Sequence, residues 1–279
     1  MHELLSQLSR LNGVDNLMLQ GMQREVLNID EGWSRVYNEY HSGGWWTLSL
    51  LNKTSKPGDA TIEDCVPVET SLLAKMPVTR AFLRNLGLKY MWVRLAKLEP
   101  DAFMWEHRDY LELKDLKRFR LHVPIITNPQ SMMIINYSKI HLDEGYIWKL
   151  NPIYRHAAGN FGSEPRVHLL IDCYVNGVLK NLLRSEQLEA SWVVDMSDPP
   201  ATMLEQVVEI CSDLARVGHA TLAEHHLLKM YHAWRLEAGC GYDLVSRMYE
   251  LIDDLGRKEL WQSNKAKFLG LEPREAAAA

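Results

Sequence analysis

The segment HRDYLEL, residues 107–113, places Asp109 two residues after His107. On a strand, residues i and i+2 project to one face, so a ring nitrogen and a carboxylate would be aimed at one point. These are side chains that ligate first-row divalent metals. A second H-x-D, His141-Leu-Asp143, lies in HLDEGY. In a chain with 11 histidines such a pair is close to chance, so context must separate the two. His107 and Asp109 follow the strand-like FMWE and would project from a strand end into a cavity. His141 and Asp143 sit in a turn before GYIWKL and read as a solvated pair. Two histidines and one carboxylate hold non-haem Fe(II) and leave coordination positions open. The third ligand has to come from a distant strand of the same sheet system. His156, in YRHAAGNF, is far enough from 107 and 109 for several strands to intervene; the gap from 141 and 143 leaves room for only one. Arg166 opens RVHLLIDCY, where its planar fork could reach the same cavity and bind a carboxylate. Arg120 and His122 alternate on RFRLHVP and share a face. Arginine and histidine inside a sandwich are costly unless they bind something.

Other residues carry two readings. His122 is a cavity contact or a core histidine bonded to backbone, and His168 a contact or a support for Arg166. Arg94 and Arg118 are candidates for a substrate carboxylate, or solvated strand charges. Trp105, Trp148 and the pair Trp45-Trp46 could wall a pocket or fill the core. His225 and His232, seven apart on a helix, share a face, but without a HExxH spacing they read as a packed or solvated face, not zinc.

The elements that must position these residues follow from periodicity. Residues 1–12 are expected to form a short amphipathic helix. GGWWTLSLLN (43–52) reads as a strand closed by KTSKPGD, and residues 71–87 contain a helix with Pro77 near its start and Gly87 at its stop. YMWVRLAKL, FMWEH, FRLHVPII, SMMIINY, GYIWKL and RVHLLIDCYV are short strand-like runs separated by polar or Gly/Pro breaks, the texture of a sandwich or barrel. After MSDPPAT the apolar residues switch to helical spacing. The expected architecture is therefore mainly β with α: a central β-sandwich with N-terminal helices over 1–198 and a helical C-terminal module over 199–279, divided at Pro199-Pro200.

Composition excludes several classes. The chain has 279 residues, 47% apolar and 24% charged, with a net charge of -5, so neither nucleic acid nor an anionic membrane is an expected partner. The four cysteines are far apart and form no CxxC, which argues against a zinc ribbon or a disulfide framework. No run approaches a membrane span, and the first residues lack the pattern of a signal peptide. A reducing cytoplasm is the default expectation, with a homodimer left open. The final EPREAAAA is set aside as a tail.

Residues 88–175 resemble the Fe(II)- and 2-oxoglutarate-dependent oxygenases of the aspartyl/asparaginyl β-hydroxylase type. HRDYLEL, GYIWKLNPIYRHAAGNF and PRVHLLID together are most similar to the bacterial free L-proline cis-hydroxylases. The resemblance implies a double-stranded β-helix (jelly roll, cupin-like) core. It implies that His107, Asp109 and His156 are iron ligands, that Arg166 pairs with the distal carboxylate of 2-oxoglutarate, and that Arg120 and His122 flank the co-substrate or substrate. It further implies O2 as co-substrate and hydroxylation of a free L-amino acid, proline or one of similar size, with succinate and CO2 as by-products. Helices over the sandwich mouth would suit such a substrate; an Asp or Asn residue in a peptide is the alternative substrate, and a cupin-like binder without turnover the alternative class. Asp109 is retained, unlike in the halogenating relatives. Where the proline enzymes have an apolar-proline pair, this chain has Trp105-Glu106, and a carboxylate beside the iron would favour a polar or cationic substrate.

Overall fold

The computed structural model describes residues 2–109, 111–113 and 117–271; the terminal EPREAAAA lies outside them. Strands and helices follow in the order α1 (His2–Gln7), β1 (Leu8–Gly13), α2 (Asn16–Leu27), β2 (Trp45–Asn52), β3 (Val68–Glu69), α3 (Ser71–Ala74), α4 (Pro77–Leu86), β4 (Tyr90–Leu98), β5 (Ala102–Phe103), β6 (Arg118–Ile126), β7 (Ser131–Ile135), β8 (Ser138–Ile140), β9 (Tyr146–Leu150), β10 (His156–Asn160), β11 (Arg166–Tyr174), α5 (Gly177–Leu182) and β12 (Val193–Asp195). Four helices close the chain: α6 (Met203–Arg216), α7 (Ala220–Ala233), α8 (Cys240–Leu251) and α9 (Leu255–Leu269). The strands form two antiparallel sheets, ordered β1-β9-β6-β11-β4-β2-β3 and β12-β8-β7-β10-β5. This is the double-stranded β-helix expected from the sequence. None of the described helices is long and apolar enough to cross a membrane, and all four cysteines are free thiols.

Period-two alternation decides what each face of the larger sheet carries. Val93, Leu95, Leu121, Val123, Leu169 and Ile171 point outward into a core shared with residues of α2 and α4. The alternate residues Arg94, Arg120, His122, Arg166, His168 and Asp172 point inward and are buried too. β11 is therefore covered on both faces, and its inner face is polar.

Two local elements differ from expectation. The first helix ends at Gln7, and Leu8–Gly13 pairs with β9 as an edge strand; burying Leu8 and Leu11 and pairing the backbone override local helix preference. Residues 71–87 contain the expected helix, α4, with Pro77 in its first turn and Gly87 ending it in the left-handed region at φ 60°; the short α3 precedes it. Helix α2 was not anticipated, since Gly21 interrupts its pattern. A Cβ there would lie 2.7 Å from a Val78 methyl carbon, so glycine lets α2 seat on α4. Asp15 caps α2 by accepting from the amides of Leu17 and Met18.

The C-terminal helices pack through an apolar seam in which Phe103 and Trp105 of the jelly roll join Leu227, Tyr242, Val245 and Phe268. His232 of α7 is buried there, its ring 5.2 Å from that of Phe103, with Nε2–H donating to the Met104 carbonyl at 2.9 Å. Burial lowers its pKa to about 4, against about 6.5 in an unfolded chain. The unfolded state thus takes up the proton first. The resulting stability is complete above about pH 6.5 and is lost as pH falls toward 4. Urea midpoints of metal-depleted protein should fall between pH 6.5 and 5. The fall should be shallower in His232→Gln, since the other buried histidines remain; an unchanged slope would show that His232 does not titrate on unfolding.

Candidate active site

His107 follows β5 and His156 opens β10, and the two form an isolated antiparallel bridge. Each backbone amide donates to the other residue's carbonyl, at 3.0 and 2.9 Å. The side chains are therefore held side by side, with ring centroids 4.5 Å apart. Both rings are oriented the same way. Nδ1–H of His107 donates to the Trp105 carbonyl at 2.7 Å, and Nδ1–H of His156 to the Tyr154 carbonyl at 2.8 Å. Nε2 of each is left as the free lone pair, the arrangement a metal-binding histidine needs. Each Nε2 lies 3.6 Å from an Asp109 oxygen, and one ligand atom from each of the three residues falls within 4.8 Å of the others. Among the described residues this is the sole group that could hold a metal ion.

Electrostatics keeps the trio in ligating form. Burial lowers the His107 pKa to about 4, helped by the neighbouring His156 and opposed by Asp109. Burial alone would raise the Asp109 carboxyl, but the Arg120 guanidinium and the two rings outweigh it and hold the group well below the usual range. At neutral pH the set is a neutral imidazole and a carboxylate, ready for a cation. His141 and Asp143 stand apart: Nδ1–H of His141 donates to the Ser131 carbonyl, and Asp143 is half exposed.

A cavity of about 350 Å³ opens beside the trio, lined among others by Tyr37, Arg94, Arg120, His122 and Arg166. Arg120 contacts Asp109 through Nη1 and donates to Asp172 through Nε at 3.0 Å. Arg94 donates to the other Asp172 oxygen at 3.0 Å and stacks 3.6 Å over the Trp92 ring. Asp172 thus sits between two guanidiniums, opposite Arg120 in the β6–β11 register. Removing it by Asp172→Ala leaves two buried cations without their shared counter-charge. Breaking a buried pair costs about 3–5 kcal/mol, so the melting temperature should drop by roughly 10 °C; a drop under about 2 °C would mean that the two arginines are neutralised elsewhere.

Arg166 is 1% exposed, and burial lowers its pKa to about 10. It remains charged at neutral pH. Among the described residues no carboxylate or hydrogen-bond acceptor meets its guanidinium, and its Nε is both buried and unpartnered. A buried cation without a partner is costly, and this one lines the cavity. His122 lines the cavity and His168 lies behind it, with Nδ1 atoms 3.4 Å apart. Burial first, then the nearby arginines, hold both rings neutral. Each has a buried Nε2 without a partner.

The cavity thus gathers His107, Asp109, His156, Arg94, Arg120, His122 and Arg166, with His168 as support. It leaves out two expected residues. Arg118 is buried at the far end of β6, where Nη1–H donates to the Leu113 carbonyl at 2.5 Å. Trp105 turns into the helical seam, 5.4 Å from the His225 ring, and Nε1–H donates to the Glu39 carbonyl. Glu106 also faces away from the metal trio. It pairs with Arg155 and accepts from the Gly239 amide at 2.9 Å, contacts that hold it on the helical side. It therefore offers no carboxylate to a substrate. Of the tryptophans, Trp45 lines the cavity, while Trp148 belongs to a core cluster.

Asp172, Tyr37, Arg108 and Lys267 were not singled out from the sequence. Asp172 had a signal, since it lies an even number of residues beyond Arg166 on β11. Tyr37 had none: it lies in a loop at φ 57°, and burial lifts its hydroxyl to about 12, so it stays protonated. Arg108, in the middle of H-R-D, would point away on a regular strand, and Lys267 lies at the end of α9.

The chain is 25% identical over 250 residues to the L-proline cis-4-hydroxylase of Rhizobium meliloti (strain 1021), covering 86% of this chain and 88% of that one. It is 26% identical over 148 residues to L-proline cis-3-hydroxylase 1 of a Streptomyces species, covering 50% and 51%; it thus spans nearly all of the first relative and about half of the second. A solved 2OG-Fe(II) oxygenase from Burkholderia pseudomallei superposes with a TM-score of 0.44 at 12% identity, over 62% of this chain and 86% of that one. The Aspartyl/Asparaginyl beta-hydroxylase family model matches residues 18–175, a span that takes in both sheets' site strands and every residue of the metal trio. With that match the chain belongs to the aspartyl/asparaginyl β-hydroxylase family.

Proposed function

We propose that this protein is an Fe(II)- and 2-oxoglutarate-dependent hydroxylase of a free L-amino acid, proline or one of similar size. The observation that carries this reading is the pairing of the His107–Asp109–His156 set with the buried Arg166, which has no partner among the described residues, in one cavity. The donor set is that of a facial triad, and Arg166 fits the distal carboxylate of 2-oxoglutarate. Fe(II) with 2-oxoglutarate supplies an oxidant made from O2 that can replace a C–H bond by C–OH, releasing succinate and CO2.

The chain's own groups do the positioning. His107 and His156 offer Nε2 because their Nδ1–H groups are committed to carbonyls. Arg120 keeps Asp109 ionised and fixes its orientation, and Asp172 fixes Arg120 in turn. His122, held neutral, presents a ring to the cavity wall. Residues 1–198 would carry the oxygenase and 199–279 a helical module, whose Lys267 lines the cavity.

Three supports bear on the substrate. The named relatives are L-proline cis-hydroxylases. The cavity holds about 350 Å³, a volume that suits a single amino acid beside the co-substrate, and Lys267 of α9 lines it. The alternative is hydroxylation of an aspartyl or asparaginyl residue in a peptide, as the family's name describes. The test incubates the protein with Fe(II), ascorbate and 2-oxoglutarate against free amino acids, their primary amides and peptides, and follows succinate and a 16-dalton gain. Free amino acids should be hydroxylated. Activity on peptides alone would promote the alternative, and 2-oxoglutarate binding without any turnover would leave a binding protein.

A further inference from the structure

We infer that Arg108 and Lys267 form a second anion site in the cavity, on the side closed by α9, and that it takes the free carboxylate of the substrate. This deepens the hydroxylase reading and rests on it. The cavity is lined by Arg94, Arg108, Arg120, Arg166 and Lys267, against a single described carboxylate in its lining, Asp109. Three of these cations are accounted for. Arg94 and Arg120 share Asp172, and Arg166 faces the co-substrate.

Arg108 and Lys267 remain. Among the described residues the Arg108 guanidinium has no hydrogen bond or ion pair, and its Nε is shut off from solvent. The nearest carboxylate to Lys267 Nζ is that of Glu39, 3.7 Å away and half exposed, too loose to bind it firmly. Arg108, partly buried and without a partner among the described residues, is the costly member of the pair; Lys267 is more than half exposed and adds its charge at the mouth. Two unpartnered guanidiniums line one cavity, and the proposed reaction brings two carboxylate ligands.

The backbone segments that carry the two side chains are joined. The Arg108 amide donates to the Phe268 carbonyl at 2.9 Å, beside Lys267 in sequence. The Phe268 ring lies 4.4 Å from that of Tyr40. Gly270 ends α9 in the left-handed region at φ 62°, and a Cβ there would lie 2.8 Å from Leu111. The last turn of α9 is thus tied to the metal-binding segment. A carboxylate held at Arg108 and Lys267 leaves the substrate's carbon skeleton between this rim and the metal trio. A residue inside a peptide has no free α-carboxylate to place there.

The experiment pairs each side chain with the group it would read. Titrants are the amino acids hydroxylated in the screen above, beginning with L-proline, each as free acid and primary amide. Binding is measured calorimetrically on enzyme loaded with 2-oxoglutarate and redox-inert Zn(II), and KM is measured on the Fe(II) enzyme. Wild type should prefer acid over amide by at least about tenfold, the scale of one charge-assisted hydrogen bond. The double variant Arg108→Gln/Lys267→Met should lose that preference while its affinity for 2-oxoglutarate stays within about twofold. Arg108→Lys should keep part of it, having the charge without the fork. An acid preference that survives in the double variant removes this site and leaves the hydroxylase reading standing. A wild type that hydroxylates no free amino acid overturns both.

Discussion

Replacing His107, Asp109 or His156 by alanine should reduce hydroxylation to the level of protein without metal. Iron retained after desalting should fall from about one atom per chain toward none. The reason is geometric. Three ligand atoms within 4.8 Å of one another leave one face of the ion to the protein and the opposite face to ligands, and two ligands do not restore that face. The three changes should differ in stability. His107→Ala and His156→Ala remove neutral rings and leave the Trp105 and Tyr154 carbonyls without donors, a penalty of about 1–3 kcal/mol each. Asp109→Ala removes a carboxylate that Arg120 contacts, though Arg120 keeps Asp172. All three should still fold, because the outward core of the larger sheet is untouched. His141→Ala is the control. An inactive His141→Ala beside an active His107→Ala would mean that the other H-x-D binds the metal.

Arg166→Lys should raise the KM for 2-oxoglutarate by tenfold or more. The fork matches a carboxylate with two parallel hydrogen bonds, and an ammonium does not. The loss of a charge-assisted hydrogen bond is worth about 1.5–3 kcal/mol, or roughly 10- to 150-fold. A companion effect separates binding from structure. Arg166 is a buried cation with no partner among the described residues, so it costs stability until an anion arrives. Arg166→Met should therefore melt higher than wild type when free of ligand. It should also lose the stabilisation that wild type with Zn(II) gains from 2-oxoglutarate. A KM within twofold of wild type in Arg166→Lys, or a lower melting point in Arg166→Met, would remove Arg166 from the co-substrate site.

The pairing of Asp172 with both Arg94 and Arg120 shows why polar residues on an inner sheet face are worth reading together. Each arginine alone looks like a candidate for a substrate carboxylate. The register sets Asp172 opposite Arg120 and one strand from Arg94, so two apparent ligand-binding cations are partly committed to the protein itself. Arg108 and Lys267, which no strand alternation selects, keep the charge available.

Periodicity in the chain was enough to establish the strand-rich centre, the helical C-terminus and the inward face of β11. Strand alternation is local, and it assigns Arg120 with His122 and Arg166 with His168 to one side without any knowledge of partners. The H-R-D spacing, with His156 several strands away, singled out the metal trio in the same way. Alternation fails where the backbone is irregular or where the partner is remote. The HRD segment is a single bridge and not a strand, so Arg108 escaped its expected direction and reached the cavity. Trp105 and Glu106 were expected beside the metal, but they turn into the helical seam, where Gly239, Tyr242 and Arg155 meet them. Arg118 was drawn to the Leu113 carbonyl. The outcomes for Glu106 and Arg108 depend on contacts more than 100 residues apart, Gly239 to Glu106 and Arg108 to Phe268, whereas the partner of Arg118 is five residues away. Side-chain direction at a strand end is set by whichever surface packs against it, and only the folded chain brings that surface there.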